Sequence, residues 1–205
     1  GVEPAEFESK PLEPVFLRKQ LVVDPTIFLF GFFGRFMPQK GFDLLIDSVD
    51  CIRSQCNDFR FAIVAVGSGD YIREYKEKIK KKGLGDYFYF LPFRPMVHHL
   101  YPQVDVIVMP SRWEASGLLA METLCMGTPL IASDCIGLRE TVDGTPAFVF
   151  PFGRSEKLAE MMCNCMQDRG QAVFQAFRTK ARQRFHVASA AEKLVKCIEQ
   201  VVGQG

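Results

Sequence analysis

Residues 26–33, TIFLFGFF, decide the fold: after its opening threonine the run is continuously apolar, and it stops at Gly34. A strand without polar alternation is buried on both faces, which calls for a parallel sheet covered by helices above and below. The segment behind it, GFDLLIDSVDCIRS (41–54), carries Phe42, Leu45, Ile46 and Val49 at helical spacing. The alternation then repeats. FAIVAV (61–66) reads as a second buried strand ending in Gly67-Ser68-Gly69, with the charged helix YIREYKEKIKKK behind it. YFYFL (87–91) and VDVIVMP (104–110) read as the third and fourth strands, and a helix runs from about Gly117 to Met126. PLIAS (129–133) and AFVF (147–150) supply a fifth and a sixth strand. From Ser155 onward two or three helices follow, with Ala159, Met162 and Met166, then Ala191, Leu194, Val195 and Ile198, as apolar faces. Strands alternating with helices, joined by right-handed crossovers, predict a Rossmann-like, doubly wound parallel α/β sheet of about six strands in three α/β/α layers.

Composition narrows what such a domain does. The 205 residues suffice for one core. Four of the first 25 are proline (Pro4, Pro11, Pro14 and Pro25), so residues 1–24 read as a linker and 25–205 as the folded domain. The 25 basic and 24 acidic residues leave a net charge of +1, which argues against a nucleic-acid partner. No apolar run reaches the roughly 18 residues of a membrane span, and GVEPAEFESKP lacks the regions of a signal peptide. The seven cysteines form no C-x-x-C pair; the closest spacings are Cys51 with Cys56 and Cys163 with Cys165, and no H-x-x-x-H occurs. The expectation is a metal-free, cytoplasmic domain with reduced core thiols. The KEKIKKK run (76–82) reads as a solvated helix face, with peripheral membrane contact as its alternative. His98-His99 begin a short helix.

Ligands of such a sheet bind where loops leave the carboxyl ends of the strands. Those loops carry the unusual residues: Gly34-Arg35 with Lys40-Gly41, Gly67-Ser68-Gly69, Pro92-Phe93-Arg94-Pro95, and PSRWEASG (110–117). Gly67-x-Gly69 lacks the third glycine of a dinucleotide fingerprint and predicts a tight turn. Gly117 opens a helix whose first amides, at Gly117, Leu118 and Leu119, have no intrahelical acceptor and so form an anion site. Glu122 lies one turn deeper on the face of Leu118, placed to accept from a diol attached to that anion, such as a ribose next to a phosphate. Arg35 and Lys40 supply the positive charge a diphosphate needs.

These residues together resemble the nucleotide-sugar-binding half of a retaining glycosyltransferase with the two-domain GT-B fold, family 4 (glycosyl transferases group 1). The resemblance is carried by Gly34-Arg35 with Lys40-Gly41, by Pro110-Ser111, and by Glu114-x7-Glu122 within PSRWEASGLLAMETLCMGTPLIAS. GVEPAEF (1–7) looks like that family's interdomain linker, and GLRETVDG (137–144) like the stretch after its fifth strand. The resemblance implies catalytic roles for Arg35 and Lys40 on the donor diphosphate and for Glu114 beside the transferred sugar. It places Glu122 on the ribose, Ser116 and the amides of Gly117, Leu118 and Leu119 on sugar and phosphate, and Phe93 and Arg94 near the base, with Gly67 also on the substrate. Ala115-Ser116 stands where the family often has Gly-Phe.

The implied partners are a nucleotide sugar, an acceptor that is a glycan, lipid or protein, and an N-terminal acceptor domain outside these residues. No cofactor or metal is implied, since no D-x-D occurs. An apolar patch is expected near the C-terminal helix, where that domain would cover it. The alternative reading is a non-catalytic nucleotide-sugar-binding or interaction module. A sugar-nucleotide epimerase fits the paired glutamates poorly, and a flavodoxin-like regulatory domain would need an Asp where Pro92-Phe93-Arg94-Pro95 stands.

Overall fold

The computed structural model describes residues 1–8, 17–55 and 60–202. Six strands run parallel: β1 (Phe28–Phe33), β2 (Phe61–Val66), β3 (Phe88–Leu91), β4 (Val106–Met109), β5 (Leu130–Ser133) and β6 (Phe148–Phe150). Their order across the sheet is β3-β2-β1-β4-β5-β6. The expected doubly wound sheet is therefore present, with its topological switch between β1 and β4.

Alternate residues of each strand feed opposite cores, as a pleat requires. Leu29 and Phe33 of β1 join Ala62, Val64 and Val66 of β2 on one face, while Phe30 and Phe32 join Phe61, Ile63 and Ala65 on the other. The second face is covered by α2 (Phe42–Gln55), α3 (Ile72–Lys81) and α6 (Ser155–Gln167). Phe42, Leu45, Ile46 and Val49 are all fully buried there. The first face is covered by α4 (Leu118–Met126), α7 (Gln171–Phe185) and a 3-10 helix at Val97–Gln103 that contains both His98 and His99. A short α5 (Arg139–Val142) lies between β5 and β6.

The segment expected to be linker sends four apolar side chains into the core. Val2, Phe7, Leu17 and Val23 are buried, Phe7 on a 3-10 turn at Pro4–Glu8 and Leu17 at the start of α1 (Leu17–Gln20). Single apolar anchors separated by prolines have no period, yet each finds a place on the first face. Val2 bridges to the turn after α7, accepting from Val187 and donating to the Phe185 carbonyl. A shared carboxylate ties this segment to the sheet: Asp105, at the entry to β4, accepts from Arg18 at 2.7 Å, from the Leu29 amide at 2.8 Å, and from Arg169.

The last helix, α8 (Val187–Val202), leaves Leu194, Val195 and Ile198 more than half exposed, which is the apolar patch expected there. Cys125, Cys135 and Cys165 are buried thiols and Cys51 and Cys163 partly buried ones; Cys56 lies outside the described residues. Among the described residues no helix is long and apolar enough to cross a membrane.

Candidate functional site

The carboxyl ends of β1, β2 and β4 open onto a cleft of about 580 Å³ at the switch point. It is lined by Arg35, Lys40, Gly67, Phe93, Glu114, Ser116, Gly117, Leu118, Leu119 and Glu122, all predicted site residues, together with Gln39, Ser68, Tyr101 and Trp113. Of the predicted set, Arg94 alone stands off the lining; its guanidinium donates to Gln20 Oε1 at 3.2 Å, which draws it toward α1. The Phe93 ring, by contrast, stands two-thirds exposed at the rim.

Each loop reaches its position for a local reason. The loop after β1 is anchored by Phe36, fully buried between Phe32, Phe42 and Phe90 at centroid distances of 5.2–5.8 Å. Gly67 is a contact rather than only a tight turn: a Cβ there would lie 1.9 Å from the Gly34 carbonyl oxygen, so the backbones after β1 and β2 meet at the cleft floor. Gly117 caps α4 in the left-handed region, at φ 62°. The Ala120 and Met121 amides both return to the Gly117 carbonyl, so the Leu118 and Leu119 amides lie ahead of the helical ladder, as predicted.

The loops after β1 and β4 are fastened to each other. The Arg112 amide donates to the Gln39 carbonyl at 2.7 Å, and Gln39 Nε2 donates back to the Trp113 carbonyl at 3.1 Å. The Arg112 guanidinium reaches Asp43 at 2.5 Å and the Pro38 carbonyl at 3.2 Å. Across this seam Lys40 Nζ donates to both oxygens of Glu114, at 2.8 and 2.9 Å. Ser111, itself buried, adds a hydroxyl to Glu114 Oε1 at 2.6 Å and is held in turn by Ser133 through its carbonyl. Lys40, expected on the diphosphate alone, is thus paired with Glu114. Arg35 is exposed and, among the described residues, makes no ion pair or hydrogen bond.

Glu122 is the deeper carboxylate. Its Oε2 accepts from the Tyr101 hydroxyl at 2.8 Å. Burial pushes its pKa up, the Tyr101 hydrogen bond opposes that shift, and the Glu6 carboxylate adds to it. Burial also pushes the Tyr101 phenol far above its ordinary value, with the neighbouring Glu122 charge adding to the shift, so its proton stays on. Sequence reasoning missed Tyr101 and the Gln39 fastening: the tyrosine lies outside every strand-end loop, and the glutamine acts through backbone contacts that no residue pattern advertises.

The profile of the glycosyl transferases group 1 family matches residues 27–168. The chain belongs to that family. The lipopolysaccharide core biosynthesis mannosyltransferase LpsB of Rhizobium meliloti is 31% identical over 147 residues, 70% of this chain and 42% of that protein. The 2-deoxystreptamine glucosyltransferase of Streptomyces kanamyceticus is 29% identical over 213 residues, 100% of this chain and 54% of that protein. Among solved structures, Anabaena HepE in complex with UDP and glucose superposes with a TM-score of 0.83 at 27% identity, covering 98% of this chain and 55% of that one. The sheet and its layers are those of GT-B glycosyltransferases, and the match spans between 22% and 54% of the length of the curated relatives.

Proposed function

We propose that this chain is the donor-binding half of a retaining, metal-independent, family 4 glycosyltransferase that moves a sugar from a nucleoside diphosphate sugar to an acceptor. The observation that carries the proposal is the convergence on one cleft of Arg35, Lys40, the leading amides of α4, and two carboxylates, Glu114 and Glu122. The solved relative with UDP and glucose supports a nucleotide-sugar ligand and makes UDP the first nucleotide to try.

In this reading the diphosphate lies against the Leu118 and Leu119 amides, with Arg35 swinging in from solvent and Lys40 shared between phosphate and Glu114. Glu122 accepts from the ribose hydroxyls. The bond between the anomeric carbon and the diphosphate oxygen breaks, and the negative charge left on that oxygen falls on cations and amides already in place. Glu114, held by Lys40 and Ser111, faces the sugar. The acceptor (a glycan, a lipid or a protein) is taken by the other half of the enzyme, which works in the cytoplasm, with membrane contact at most peripheral.

The test uses Trp113, the one tryptophan, which lines the cleft and is about half exposed. Titration with UDP, GDP, ADP and dTDP, followed by Trp113 fluorescence and calorimetry, is expected to give saturable binding of one diphosphate that Glu122→Ala weakens. The affinity is expected to be the same in excess chelator as in Mg²⁺ or Mn²⁺. Absence of binding by all four nucleotides would refute the donor-site reading, and binding without transfer by the complete protein would identify a non-catalytic module. Retention is checked on the complete protein by the anomeric configuration of the product in proton NMR.

A further inference from the structure

We propose that Tyr101 is a positioning residue of the donor site: its buried hydroxyl fixes one carboxylate oxygen of Glu122, leaving the other to receive the ribose diol. The inference rests on the donor-site reading and adds to it a residue from outside the strand-end loops. Tyr101 is only 1% exposed, and its ring lies against Phe33, the last residue of β1, at a centroid distance of 4.9 Å. The 3-10 helix carrying it is pinned through Gln103, whose side chain accepts from the Leu17 amide at 2.8 Å and donates to the His99 carbonyl at 3.0 Å. The phenol therefore has one orientation, and its hydroxyl has one acceptor, Glu122 Oε2.

Glu122 has no second anchor among the described residues: no hydrogen bond engages Oε1, and the side chain lines the cleft. A glutamate has three side-chain torsions, and a helix leaves its outer ones free. Tyr101 removes that freedom before the ligand arrives, which is how a buried neighbour improves a contact it does not itself make. It also favours the charged form of Glu122, the form that accepts hydrogen bonds from hydroxyls, against the burial and the Glu6 carboxylate that oppose ionisation.

Tyr101→Phe keeps the ring and its packing on Phe33 while removing the hydroxyl. The probe is whichever of UDP, GDP or ADP the wild-type chain binds, with its 2′-deoxy and 3′-deoxy counterparts. The variant is expected to bind the ribonucleotide roughly tenfold more weakly and to discriminate less against the deoxy analogues. Because binding needs the carboxylate, affinity falls as pH drops through the Glu122 pKa. Without the hydroxyl that pKa rises, so the acid limb of the binding profile is expected to move to higher pH. In a Glu122→Ala background Tyr101→Phe is expected to add nothing.

Wild-type affinity and pH profile in Tyr101→Phe would overturn the inference. So would a loss equal for ribo- and deoxynucleotide that adds in full to Glu122→Ala. If thermal melting shows Tyr101→Phe unfolded, Glu122→Gln with Tyr101 intact replaces it, and the inference fails should that variant keep the wild-type preference for ribose. If the wild-type chain binds none of UDP, GDP, ADP and dTDP, the donor-site reading itself has failed and takes the role of Tyr101 with it; binding of dTDP alone, whose sugar has no 2′-hydroxyl, would overturn the inference and leave the donor site standing.

Discussion

Lys40→Met removes the cation that spans the two loops of the cleft, and the structure fixes how much stability that should remove. Lys40 Nζ is bonded to both oxygens of a Glu114 side chain that is only 9% exposed, while Lys40 itself is 26% exposed. Unit charges about 4 Å apart attract by about 4 kcal/mol at an effective dielectric near 20, and desolvation offsets much of it. Stranding one partner of a fully buried pair costs about 3–5 kcal/mol, whereas exposed pairs are worth less than about 1. Glu114 belongs near the first case and Lys40 between the two, and Ser111 still donates to the stranded carboxylate. The expected loss is therefore about 2 kcal/mol, or about 4–8 °C in Tm for a domain of this size. Glu114→Gln should cost less, because Lys40 can turn out to water while Ser111 keeps its acceptor. The double variant Lys40→Met/Glu114→Gln should resemble Glu114→Gln rather than the sum of the two. Urea titrations and thermal melts of all four proteins complete the cycle. A Lys40→Met protein within about 0.5 kcal/mol of wild type, or strict additivity in the double variant, would show that the pair contributes nothing and that the reasoning about its burial is wrong.

Gly67→Ala should lose about 3 kcal/mol or more and lose nucleotide binding, since the new Cβ meets the Gly34 carbonyl at 1.9 Å; unchanged melting and titration would contradict the floor geometry. Asp105→Ala should lose about 3 kcal/mol by urea unfolding, because two guanidinium groups and the buried Leu29 amide lose one shared acceptor, yet diphosphate affinity should hold in the folded variant. Burial raises the thiol pKa of Cys125 to about 11 and that of Cys165 to about 12, so at pH 8 the thiolate is scarce. Iodoacetamide should leave both untouched in the native chain and modify them in urea, as read by peptide mass mapping; equal labelling in both states would refute their burial.

The sheet was legible because its strands advertise themselves: IFLFGFF (27–33) and FAIVAV have no polar residue to place at a wet face, so their surroundings are dictated. Strand ends were legible to within two residues, the difference arising where polar or proline residues such as Asp105 and Pro129 keep the incoming loop running past the expected strand start. The cleft lining was legible where unusual residue types stand in strand-end loops or in the helix that follows, as at Lys40, Glu114, Gly117 and Glu122. Arg94 was misplaced because loop membership does not fix the direction of a long side chain, and here Gln20 draws it away. The packed N-terminal segment was illegible for a related reason. Val2, Phe7, Leu17 and Val23 each bury a side chain singly, and isolated contacts leave no period in a sequence.

The Gln39–Arg112–Trp113 fastening bears on the timing of recognition. Loops that must fold around an incoming molecule slow its capture, and the ordering they undergo is charged against affinity. Here the walls on either side of the switch point already hold one another by backbone and side-chain bonds. A molecule entering between them meets walls whose backbone is already set, with side chains such as Arg35 left to move. Substitutions along the seam should then slow capture as well as shorten residence time, the interval a bound molecule waits before it leaves.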